Sequence, residues 1–172
     1  MKKSFIIIFS SLATCLFSQV AIGKPSVTNT SVSLEFGAEN RGLLLPWVTS
    51  ATSVTGAVDG TIIYDITDKK AKYLKAGSWF DLTIDTTGTV DTTLQDSLVE
   101  KPNAKAAIGK DAATDTTSGI LVLTDKDKAM ILPKVASPHL NIINPSAGMM
   151  VYDTLAHQLV VFNGTVWSFW KP

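Results

Sequence analysis

Cysteine is nearly absent from this chain. Cys15 is the only one in 172 residues, and it lies inside the first apolar run. If export removes that run, no disulfide can form even in a compartment that permits one, so packing or assembly must supply the stability. Histidine is almost as scarce: His139 and His157 stand in turn-like stretches, without the cysteine or carboxylate spacing of a metal site. They read as solvated loop residues. An excess of either charge is missing too, with 15 basic against 15 acidic residues. Losing Lys2 and Lys3 with a leader leaves 13 against 15, a net charge near −2. That balance excludes the basic face that nucleic acid demands, and it gives no reason to expect an anionic membrane surface as partner.

Catalytic signatures are missing as well. There is no Gly-rich phosphate loop and no GxSxG, and no serine is set out with a His as an activated nucleophile. In "TDKDK", Asp125 and Asp127 have the spacing of a calcium loop, but the third oxygen ligand, the Gly and the closing Glu are lacking. Fifteen acids always offer pairs, so carboxylate pairing says nothing about a glycosidase. The expectation is no enzyme, no cofactor and no metal.

What is present begins with a leader. Lys2 and Lys3 precede "SFIIIFSSLATCLF", an apolar run too short and too serine-rich to span a membrane comfortably. Cleavage is expected after Ser18, with a cut after Gly23 as the alternative, and no transmembrane span remains afterwards. Cys15 in "LATC" is a weak lipid acceptor, because Thr14 before it is large and "LFSQ" after it is not a polar tether. The mature chain is expected to be secreted, to the cell surface or the medium, with the periplasm also open.

The rest of the chain reads as one passage written twice. "RGLLLPWVTS" from Arg41 returns as "KAMILPKVAS" from Lys128, an offset of 87. Upstream, "VAIGKPSVTNTSVSLEF" matches "AAIGKDAATDTTSGILVL" with one inserted residue. Downstream, "DGTIIYDITDKKAKYLKAGSW" matches "AGMMVYDTLAHQLVVFNGTVW" at an offset of 88, so that Gly60 meets Gly148, Tyr64 meets Tyr152, Asp65 meets Asp153 and Trp79 meets Trp167. The period is too long for a solenoid repeat of roughly 20–50 residues. The expected organisation is a leader (1–18), a module (19–83), an Asp/Thr-rich connector (84–105) and a second module (106–172).

Each module reads as mostly β, a small meander of hairpins. "GTIIYDI" and "AGMMVYDT" are strands opened by Gly, "AKYL" and "QLVVF" are their return strands, and a Trp-bearing strand follows. Asn163-Gly164 is expected to supply the positive φ angles of a tight turn, with "KAGS" in the equivalent place. "LLLP" and "MILP" read as short buried or edge strands stopped by Pro. Modules of about 65 residues without disulfide or metal fall below the roughly 70–80 residues at which a core suffices, so they should pack on each other or on other copies.

The ordered set "QVAIGKPS", "NRGLLLP", "GTIIYD" and "NGTVW" resembles a secreted repeat family of Bacteroidetes, and it is similar to shaft and tip segments of phage tail fibres. The resemblance covers nearly all of the mature chain except the connector. It implies a surface or structural, fibre-like protein, often trimeric, and no known catalysis. Three positions depart from that pattern: Trp47 stands where the second copy has Lys134, Ala129 replaces Gly42, and "KAGSW" replaces the Asn-Gly turn.

The aromatic residues supply the contact candidates. Trp79 and Trp167 close equivalent meanders and read first as core or cap residues, and second as stacking platforms. Trp47, whose counterpart is Lys134, marks a position that tolerates water; it is either a partly buried residue or an anchor for a sugar ring or a subunit. The Asp-Ser/Thr pairs offer O-glycosylation candidates at Thr86, Thr92, Ser97, Thr116 and Thr154, against the plain reading of turn composition. The combined expectation is a secreted structural or adhesive surface protein, a homo-oligomer with a trimer favoured, meeting a surface glycan or an envelope protein. The rival is a carbohydrate-binding module built on exposed Trp.

Overall fold

The computed structural model describes residues 19–99, 101 and 103–170. The expected leader, with Cys15 and the expected cut after Ser18, lies outside them. The first half holds β1 (Val20–Ile22), β2 (Val32–Phe36), β3 (Leu43–Leu44), β4 (Trp47–Val48), β5 (Ile62–Asp65), β6 (Lys70–Lys75) and β7 (Ser78–Asp81). The second half holds β8 (Ala106–Ile108), β9 (Leu121–Leu123), β10 (Ala129–Ile131), β11 (Lys134–Val135), β12 (Met149–Asp153), β13 (Gln158–Phe162) and β14 (Trp167–Trp170). The chain is mostly β. Its helical elements are single turns, at Ala51–Ser53, Thr93–Asp96 and Pro138–Asn141.

Every pairing inside the first half has a counterpart inside the second. β1 runs parallel to β2 as β8 does to β9, and β4 runs parallel to β5 as β11 does to β12. The meanders β5-β6-β7 and β12-β13-β14 are antiparallel. Local chemistry explains the hairpins. The turns at 66–69 and 154–157 each end on a residue in the left-handed region, Lys69 (φ 62°) and His157 (φ 54°). Ala76 (φ 49°) and Gly77 (φ 71°) are both positive, as the tightest hairpin turn requires.

The other turn differs from expectation by one position. Asn163 is not in the turn centre: its N–H donates to the Val166 carbonyl, and Gly164 (φ 101°) and Thr165 turn the chain. Only the first central residue then needs a positive φ, which frees Asn163 to use its side chain elsewhere.

The halves do not fold apart. β10 of the second half lies parallel beside β2 of the first, pairing Met130 with Leu34. β3 of the first half lies antiparallel on β12 of the second, pairing Leu44 with Met149 and Leu43 with Met150. The main core is mixed in the same way, joining Leu45, Tyr64 and Ala71 to Ala147, Met150 and Val161. A second cluster, Val135, Ile142, Val151 and Val160, belongs to the second half alone. Burying a side chain such as Met150 contributes about 1.5–3 kcal/mol. Neither half keeps such contacts alone.

The connector is not a free tether either. Asn163 Nδ2 donates to Asp85 Oδ1 at 2.7 Å, and the Thr165 hydroxyl donates to the Thr87 carbonyl at 3.1 Å. Gly88 lies so close to Asn163 that a Cβ would fall 2.2 Å from its carbonyl oxygen. The first part of the connector is thus a strap across the last hairpin turn.

Candidate interaction surface

Beyond the shared core, Trp47 and Tyr64 of the first half reach into the second half. The Trp47 indole N–H donates to the Ala147 carbonyl at 2.7 Å. The fully buried Tyr64 sends its hydroxyl to the Asn163 carbonyl at 2.7 Å, and its ring lies over Gly148. Burial pushes the Tyr64 phenol up to about 12, helped by the carboxylates of Asp65 and Asp85. It stays a neutral donor. Gly148 has φ 78°, and a Cβ there would stand 2.9 Å from the Tyr64 Cβ, so both backbone and space require glycine.

Two aspartates, treated in the sequence only as landmarks, turn out to organise each half. Asp65 is buried; its Oδ2 accepts the Ala51 N–H at 2.9 Å and its Oδ1 accepts Thr67 and Asp68 N–H, both at 3.0 Å. Asp153 repeats this with Ser137 at 3.2 Å, Leu155 at 2.8 Å and Ala156 at 3.2 Å. For Asp153, burial alone would raise the carboxyl, but the three N–H donors and nearby His139 outweigh it and hold the group below its ordinary value. Each aspartate ties a hairpin turn to the loop behind the neighbouring parallel strand. Asp65 engages both of its oxygens in this way, whereas all three donors to Asp153 converge on Oδ1.

The sequence-derived candidates scatter. Trp47 is half-buried, in line with the partly buried alternative, and its indole N–H is spent inside the chain. Trp79 and Trp167 are half-buried on β7 and β14, and Trp167 packs against Phe162 with ring centroids 5.1 Å apart. The three Trp residues thus sit on three different strands. Thr86, Ser97, Thr116 and Thr154 are exposed; Thr92 is half-buried with its hydroxyl on Asp96 at 2.9 Å. His139 and His157 are exposed, and among the described residues no three His, Cys, Asp or Glu side chains gather as a metal set. No helix among those residues is long and apolar enough to cross a membrane.

What remains unoccupied is strand edge. β9 pairs with β8 on one side only, and β4 covers β5 only at Tyr64 and Asp65. Exposed edges of this kind are pairing templates. Ile120 and Leu121 lie along the β9 edge at 62% and 41% exposure. The comparisons bear on the same region: residues 100–171 match the family described as a phage tail like trimerisation region. The match takes in the end of the connector and the whole second half. No curated protein and no solved structure matches the chain.

Proposed function

We propose that this chain is a fibre-like structural protein, exported and displayed at the cell surface, where it works as a homotrimer in adhesion. The observation that carries the reading is the likeness of residues 100–171 to a trimerisation region, in a fold whose short strands already borrow edges from a distant part of the chain. Catalysis is no part of this reading. Leader cleavage belongs after Ser18, because a cut after Gly23 would remove β1 and strip one edge from β2. The exposed Thr86, Ser97, Thr116 and Thr154 are open to a glycosyltransferase. The glycan-stacking alternative draws no support from Trp47, whose ring packs against the main core.

Intact cells treated with a membrane-impermeant amine cross-linker test the reading. We expect the chain to run as multiples of its own mass, up to three. A chain untouched until the cells are lysed, or found only as monomer, would sink it.

A further inference from the structure

We propose that the contact joining the two halves of one chain is repeated between the second half of that chain and the first half of a second copy, head to tail. The proposal deepens the oligomer reading above and rests on it.

Within one chain the first half supplies β3, Tyr64 and Trp47, and the second half receives them at β12, Gly148 and Ala147. By the offsets of 87 and 88, the second half has its own projecting set: β10, Tyr152 and Lys134. The first half has its own receiving set: the start of β5, Gly60 and Asp59. That receiving set is uncovered. Gly60 has φ 92°, like Gly148, yet nothing lies within 4 Å of its Cβ position, where Gly148 has Tyr64 at 2.9 Å. A tyrosine ring is missing above Gly60, and Tyr152 is the matching tyrosine.

Backbone parity agrees. Tyr64 and Ile66 donate N–H to Pro46 and Val48, so even-numbered residues of this strand face the β4 side, while Thr61 accepts from Leu74 on the β6 side. Ile62 therefore turns its backbone toward the uncovered edge. On β10, Ala129 donates to Ser31, so Met130 between Ala129 and Ile131 turns its backbone away from β2. Met130 and Ile62 are the counterparts of Leu43 and Met150, which pair within the chain. β10 can hold β2 of its own chain and β5 of the next copy together.

The departures between the two copies are compensated across this contact. A Cβ on Gly42 would fall 2.3 Å from Met149 Cγ; where Ala129 replaces Gly42, the shorter Thr61 replaces Met149. Where the exposed Lys134 replaces Trp47, the exposed Asp59, whose oxygens also accept the Ala76 and Gly77 N–H, replaces Ala147, bringing opposite charges together. The same docking gives β9 a partner. β2 carries β10 on its outer edge, so the equivalent neighbour of β9 is β3 of the second copy, with Leu121 opposite Leu43. One heterologous contact fills the open edges of both β5 and β9.

Disulfide trapping tests this in the full chain carrying Cys15→Ser, which leaves no native cysteine. Leu44 and Met149 face each other between the hydrogen-bonded pairs of β3 and β12, where Cβ atoms come within disulfide reach. Leu44→Cys with Met149→Cys should close inside one chain. Thr61→Cys with Ile131→Cys should instead link chains into a ladder at two and three times the chain mass. Neither single variant should give a ladder. If the first pair closes and the second stays reduced, or closes within one chain, while light scattering shows multimers, this contact is wrong and the oligomer reading survives. A folded monomer by light scattering overturns both. Failure of the first pair to close removes the template and the proposal with it.

Discussion

Asp65 and Asp153 show how much a single side chain can organise in strands of two to six residues. A parallel strand as short as β4 or β11 cannot hold a loop by its ladder alone, and the carboxylate adds three backbone donors from two segments. Replacing Asp153 by Ala leaves those donors buried or poorly paired, at about 1–3 kcal/mol, read as a lowered urea midpoint. Asp153→Asn keeps an acceptor oxygen and should lose less. The carboxyl is held below its ordinary value, so its contribution is complete above that value and fades as pH falls through the folded-state value. Acid sensitivity should therefore flatten in both variants.

The elements divide by how local their causes are. Hairpins were legible in the sequence because Gly60, Gly148 and the turn residues act within a few positions. The Asn163 turn was legible to within one residue: Asn-Gly signals a turn, but the choice of centre depends on Asp85 and Thr87 from the connector. β3 and β10 were legible as short apolar strands, while their partners were not, since Leu44 meets Met149 more than 100 residues away. No local pattern encodes that. Trp47 was legible as a partly buried position, but its partner was not: the Ala147 carbonyl lies 100 residues away. The β1–β2 unit is held by Glu35, which accepts the Thr28 N–H and hydroxyl at 2.6 Å each and pairs with Lys24 at 2.7 Å. The Lys24 and Thr28 bonds hold this carboxyl at about 2, against an ordinary 4.5. Its stabilisation is full above 4.5 and is lost as pH falls from there through about 2. Acid titration followed by circular dichroism should show a loss of stability in that window, and Glu35→Gln should abolish that part of it.

At the scale of the molecule, two halves that share one pairing scheme do not satisfy each other fully. The first half gives β3 and the second half returns β10, yet the β5 edge at Ile62, the surface of Gly60 and the outer edge of β9 have no strand or ring upon them among the described residues. A chain with neither disulfide nor a large core gains most by closing such edges on another copy. Assembly is therefore the central claim, and the solution mass of residues 19–172, followed by light scattering through a dilution series, tests it most directly. The account predicts a mass three times that of the chain which dissociates on dilution in the Tyr152→Ala variant before it does in the parent. A compact monomer at every concentration, with Tyr152→Ala indistinguishable from the parent, would contradict it.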